Sequence, residues 1–178
     1  MKATDIMDAL RAHYRKAALV PELTITDESA VQNYFDLPAE ERDKTSRRID
    51  ALMFTQLQRT AIEVKVSIAD AKRESWAKVR PWTRVTHRFV YAVPAGLIDH
   101  PPVYGMGLLW VHDDGRVEVH RKARINPYPE PLPQHVVQTL AYRATGRRSS
   151  FDNSQPELTM PASRDLAASD SDTTGEKR

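Results

Sequence analysis

Two segments of this chain, Arg47-Arg48-Ile49-Asp50-Ala51-Leu52 and Ala61-Ile62-Glu63-Val64-Lys65-Val66-Ser67, bring acids and a lysine together at strand spacing. Along the second segment side chains alternate, so Ile62, Val64 and Val66 point one way and Glu63, Lys65 and Ser67 the other. By the same alternation Arg48, Asp50, Leu52 and Phe54 share a face of the first. Paired strands would set the Asp50 carboxylate beside Glu63, with Lys65 one side-chain period away, roughly 6 to 7 Å along the strand. Asp50 and Glu63 then offer hard oxygen ligands and the backbone carbonyl of Val64 a third. Such a set suits Mg²⁺ or Mn²⁺ and leaves positions for water and substrate. Phosphodiester hydrolysis asks for these parts: a Lewis acid, a placed water and help with its deprotonation, where Lys65 can orient the water or neutralise the phosphorane. Two carboxylates about 4 Å apart repel by roughly 4 kcal/mol at an effective dielectric near 20, so a cation belongs between them. Lys65 can partly fill that place, which leaves a cross-strand salt-bridge cluster on a solvated face as the alternative.

The surrounding pattern supplies elements to hold these residues. From Thr4-Asp5 onward Ile6, Leu10, Tyr14 and Ala17 recur at helical spacing, predicting an amphipathic helix to about Ala18 that packs on a sheet. Val20 to Ile25 reads as a short strand containing Glu22, and Pro21 limits it to a strand start or an edge. In the polar stretch from Thr26 to Ser46, Asp36-Leu37-Pro38-Ala39-Glu40-Glu41 fits a capped short helix or a surface insertion. Strands at 47 to 54 and 60 to 67 are joined too closely for a helix and form an antiparallel hairpin. Ser67-Ile68-Ala69-Asp70 matches a capping box and opens a basic helix to about Val79, ended near Pro81. A strand from Val85 to Val93 follows, and the intervening helix favours parallel pairing. Gly107 to Val111 and Val117 to His120 form a second hairpin around Asp113-Asp114-Gly115. Pro127 to Pro133 is a connector, and Pro133 to Arg143 a closing helix. The division is then a domain at 1–126, a connector and helix at 127–146, and a tail at 147–178 whose polar composition predicts disorder.

Composition narrows the chemistry. The chain has no cysteine among its 178 residues, which excludes disulfides, Cys-ligated zinc, iron–sulfur clusters and thiol catalysis. It has no apolar run of membrane-spanning length, and its N-terminal pattern is helical rather than that of a secretory signal, so the expected setting is cytoplasmic, with no membrane partner. Net charge is only +2, yet residues 152–178 hold six acids against three bases, leaving 23 bases and 18 acids, or +5, in the rest. Bases gather at Lys72 to Arg88 and Arg116 to Arg124, compatible with a phosphate backbone. Arg47 and Arg48 stand beside the acids, where they can meet phosphate or simply face solvent. Lys72, Arg73 and Lys78 lie on the basic helix. Trp76 and Trp82 interleave with Lys78, Arg80 and Arg84, a pattern that can stack bases, although core packing is the commoner fate of such residues. The six histidines show neither HExxH nor paired metal spacing, and Gly105-Met106-Gly107 lacks the third glycine of a dinucleotide loop.

Taken together, Val20-Pro21-Glu22-Leu23-Thr24, Arg47-Arg48-Ile49-Asp50, Ile62-Glu63-Val64-Lys65-Val66-Ser67 with Asp70, Arg88-Phe89-Val90-Tyr91-Ala92-Val93-Pro94 and Gly107-Leu108-Leu109-Trp110-Val111 resemble the PD-(D/E)xK nuclease superfamily, and more narrowly the MmcB family of DNA-repair nucleases. The pieces occur in that family's order over residues 20 to 125. The resemblance implies an α/β, restriction-endonuclease-like αβββαβ core with a mixed sheet, followed by a hairpin and a helix. It implies that Asp50 and Glu63 bind a divalent ion, Mg²⁺ or Mn²⁺, and that Lys65 assists the water. Glu22 occupies the place from which an acid often joins the metal shell in this superfamily; as read from the residues alone it is equally a surface acid. DNA is the implied partner and repair or recombination the implied setting, with repair proteins or a second copy of the chain as further partners. Two features depart from the family pattern: the stretch from Thr26 to Ser46 is long, and Ala71 and Glu74 match the family helix poorly, so no role is carried over to them. A non-catalytic DNA-binding accessory protein on the same fold is the alternative.

Overall fold

The computed structural model describes residues 1–27 and 46–146; the expected short helix at 36–41 and the tail at 147–178 lie outside them. The alternating apolar segments become six strands of one open, mixed sheet: β1 (Ala18–Thr26), β2 (Ser46–Thr55), β3 (Gln58–Val64), β4 (Arg88–Pro94), β5 (Gly107–Val111) and β6 (Val117–Arg121). They lie side by side in chain order, antiparallel from β1 to β3, parallel from β3 to β5, and antiparallel again at β6. Pro21 sits on edge strand β1, where a missing N–H is tolerated. The fold is α/β, as the pattern of elements predicts.

Both sheet faces are buried, each under its own helices. Helix α1 (Ala3–His13) lays Ile6, Ala9 and Leu10 on Ala51, Met53, Ile62, Val64, Val90 and Ala92. On the other face Val79, Trp82 and Val85 pack with Leu52, Ala61, Phe89, Tyr91 and Leu108. The polar side chains Glu63 and Lys65 therefore occupy one end of a face that is otherwise core.

The basic helix expected from Ser67 to Val79 is two helices, α2 (Ile68–Lys72) and α3 (Trp76–Val85). Ser75 adopts an extended backbone, φ −147° and ψ 159°, and restarts the helix in a new direction. Pro81 does not end the helix but lies inside α3. An interior proline costs about 3 kcal/mol, whereas burial of Val79, Trp82 and Val85 contributes on the order of 2 kcal/mol each, so packing wins. Helix α3 also takes up Val85, and the following strand begins only at Arg88. The closing helix α4 (Gln134–Ala144) buries Val136 in the same core as α3, with Leu132 and Leu140 packed against that core. No helix among the described residues is long and apolar enough to cross a membrane.

Candidate functional site

The backbone ladder between β2 and β3 runs from Thr55↔Gln58 to Ala51↔Ile62 and then stops. Where the next pair would form, the Asp50 side chain takes over: its Oδ2 accepts the Val64 N–H at 2.7 Å. The register thus sets Asp50 opposite Glu63. On its other side Pro21↔Ala51 and Leu23↔Ile49 bracket Glu22, which stands opposite Asp50 with φ +48°. Arg143 of α4 holds this bend, donating to the carbonyls of Pro21 and Glu22.

Asp50 does not share a face with Leu52 as strict alternation predicts. Ile49 and Leu52 both pack toward α3, while Ala51 and Met53 pack toward α1, so the alternation slips at Asp50. In consequence Asp50 lines a cavity of about 520 Å³ beneath α1, shared with Glu22, Val64, Asp8, Arg11 and Arg143. Glu63 and Lys65 line a separate groove of about 530 Å³ beside α3. The acids approach each other across the gap between β2 and β3 rather than from one surface. Because an extended residue's carbonyl leaves the strand on the same side as its N–H, the Val64 carbonyl is turned toward that gap.

Lys65 is the centre of the groove. Its ammonium lies 3.0 Å from Glu63, 3.1 Å from Glu74 and 3.6 Å from Asp70, and its side chain is 7% exposed. The Tyr91 hydroxyl donates to the second Glu74 oxygen at 3.4 Å, and Lys78 meets Glu74 at 3.5 Å. Arg73 pairs with Asp70 at 3.2 Å. The floor is therefore acidic around one buried ammonium, and Arg47, Arg48, Arg73 and Lys78 line the same groove. Lys72 is exposed but does not line it. Trp82 is core, donating its ring N–H to the Arg47 carbonyl at 2.9 Å.

Burial, and next the nearby Asp50 charge, push the Glu63 carboxyl up to about 7. Burial alone would lower Lys65, yet Glu63 and Glu74 outweigh it and the ammonium is held above its ordinary value. The two shifts share a sign for different reasons: burial leads at Glu63, whereas at Lys65 the surrounding carboxylates overcome burial. Tyr91 is raised as well, by burial first and then by Glu74. Its phenol stays protonated and serves as a donor.

Among the described residues no three acids or histidines converge closely enough to hold a metal by themselves. The donor chemistry nevertheless fits a divalent ion: Asp50 stands opposite Glu63 in register, and burial together with the Asp50 charge keeps a proton on Glu63 to about pH 7, which an added positive charge would displace. An ion there would be held by Asp50 and Glu63, with the Val64 carbonyl and water completing the shell. Glu22 shares the Asp50 cavity, on the side away from the Lys65 groove.

Glu74, to which the sequence assigned no role, and Tyr91, named there only as part of a strand, are the site residues that sequence reasoning missed. Tyr91 pairs in register with Glu63 across β3 and β4, and Glu74 lies between α2 and α3 with its side chain 6% exposed. The available signals were faint: Glu74 falls four residues after Asp70, and Tyr91 shares strand parity with Phe89 and Val93.

No family model and no curated protein matches the chain. One solved structure, the SPO1766 protein of unknown function from Silicibacter pomeroyi, is similar over 85% of this chain and 88% of that one, at 20% identity and a TM-score of 0.47.

Proposed function

We propose that this chain is a divalent-metal-dependent nuclease that hydrolyses DNA phosphodiester bonds in the cytoplasm, in repair or recombination. The observation that carries this reading is the placement of Lys65, a buried ammonium bonded to Glu63, at the end of the strand gap that Asp50 spans. Glu63 and Asp50 would hold Mg²⁺ or Mn²⁺, which when bound supplies Lewis acidity toward the scissile phosphate. Glu74 and Tyr91 fix the Lys65 ammonium in place. From there Lys65 orients the attacking water and offsets charge on the phosphoryl oxygens. Arg47, Arg48, Arg73 and Lys78 receive the flanking phosphates along the groove. Hydrolysis by water needs no covalent intermediate on the protein.

A second reading draws on the three carboxylates around Lys65 and on the split of the acids between two cavities. In it the cluster is structural and the chain is a DNA-binding accessory protein. Incubation with labelled linear, nicked, branched and single-stranded DNA in Mn²⁺ separates the two. Cleavage by the unaltered protein, lost in Lys65→Ala, is the expected result. Binding of these DNAs without cleavage of any in Mn²⁺ or Mg²⁺ would leave the accessory reading standing.

A further inference from the structure

Helix α3 has a groove on each flank, and Phe89 lines both. The second groove, of about 350 Å³, runs between α3, the start of β4 and the segment after β6. Its aromatic side chains are accessible: Trp76 is 53% exposed and Tyr104 95% exposed. Arg88 and Arg124 line it, together with His87, and no carboxylate does. Among the described residues Arg124 makes no ion pair, in contrast to Arg73 and Lys78 in the first groove. The walls are fastened by backbone and side-chain bonds: Arg124 N–H to the Gly105 carbonyl at 2.8 Å, Asn126 N–H to the His87 carbonyl at 2.8 Å, and the Asn126 amide to the Thr83 carbonyl at 3.1 Å. The Arg88 guanidinium donates to the Gln58 side-chain oxygen and, among the described residues, faces no carboxylate. A cleft with flat aromatic side chains and guanidinium groups that meet no carboxylate matches a polymer whose bases stack while its phosphates carry the charge.

We propose that this second groove is a single-stranded DNA track, with bases stacked on Trp76 and Tyr104 and phosphates on Arg88 and Arg124. The strand would continue from the Lys65 groove past the N-terminal half of α3, since Trp76 opens on one flank and Lys78 on the other. The choice of DNA as the polymer rests on the nuclease reading, but binding here requires no metal and no cleavage. A duplex keeps its bases stacked on each other and gains little from the aromatic pair, so this groove favours unpaired DNA.

The test is fluorescence anisotropy of labelled oligothymidylate and of a duplex of equal length, in EDTA, with the full chain. Trp76→Ala weakens oligothymidylate binding by roughly tenfold, the loss typical of one stacked base, and Trp76→Phe restores most of it. Arg124→Ala lowers the slope of log affinity against log salt by about 0.7. The duplex responds far less to Trp76→Ala. Both side chains are exposed, and unchanged melting curves confirm that the variants fold. Unaltered oligothymidylate affinity in Trp76→Ala and Arg124→Ala, or equal losses for duplex, overturns the proposal. Full competition by thymidine monophosphate at concentrations that match the oligomer's affinity does so too, since it makes the groove a nucleotide pocket. A protein that binds through Trp76 and cleaves nothing loses the hydrolase reading and keeps this one. A protein that cleaves without any effect of Trp76 does the reverse.

Discussion

At Glu63 a divalent ion, bound as proposed, would compete with a proton for one carboxylate. Its value of about 7 lies above the ordinary carboxylate range, so between pH 4.5 and 7 the folded chain holds a proton that the unfolded chain has released. Stability therefore falls as pH rises through that window, by about 3 kcal/mol for a shift of this size in a group 18% exposed. An ion bound by Asp50 and Glu63 favours the deprotonated form and reverses the trend. Melting temperatures measured from pH 5 to 8 should decline without Mg²⁺ and decline less, or rise, with it; parallel curves would remove Glu63 from the metal shell. Asp50→Asn isolates the repulsion, because its amide oxygen can still accept the Val64 N–H while the charge is gone. Carbon-detected NMR of Glu63 should then place its midpoint clearly below 7, and calorimetry should show Mg²⁺ affinity lost. The pairing of Asp50 with Glu63 and the parity of Lys65 were legible from period-two alternation. The slip at Asp50 was not, because Ile49-Asp50-Ala51-Leu52 reads as an unbroken strand and only the exchange of a ladder bond for a side-chain bond reveals it.

Elements hold these residues through close backbone approach as much as through side-chain packing. Gly107 pairs with Val90 across β4 and β5, and a Cβ at that position would come within 2.8 Å of Val90 Cγ1 and 3.1 Å of the Ala123 backbone nitrogen. Val90 is buried and β-branched, so it gives way poorly. Gly107→Ala should cost about 1 to 3 kcal/mol in urea denaturation, and a smaller change would mean that β5 shifts freely against β4. The two hairpins were legible because each has period-two strands around a short turn, the second with Gly115 at φ +82°. The split of α2 from α3 was not, since Arg73-Glu74-Ser75 carries no breaker of the glycine or proline kind. The break serves a tertiary contact, the Glu74 carboxylate under Lys65, which local propensity does not encode. Glu22 poses the same question at β1. Its positive φ suits glycine, so Glu22→Gly should leave stability unchanged or raise it by about 1 kcal/mol. Loss of Mg²⁺ affinity in that variant would make Glu22 a ligand, and unchanged affinity a surface acid.

Charge divides the whole molecule more sharply than its net value of +2 suggests. Residues 152–178 contribute six acids and three bases, and a chain ending at Phe151 would carry +5. Arg48, Lys72 and Arg124 stand exposed on the part that remains. If that surface receives a phosphate backbone, as proposed, the six distal acids of the same chain would compete with the phosphates for its bases, an effect that salt screens over about 10 Å at 0.1 M. Ending the chain at Phe151 should therefore tighten DNA binding several-fold at low salt and raise the association rate more than it lowers the dissociation rate. The difference should fade toward 1 M salt, where the screening length is about 3 Å. Stopped-flow binding of both chain lengths across a salt series measures this directly. If shortening instead weakens binding and abolishes function while Lys65→Ala leaves function intact, the distal segment carries the partner contact and the chain acts as an interaction module rather than through its acidic cluster.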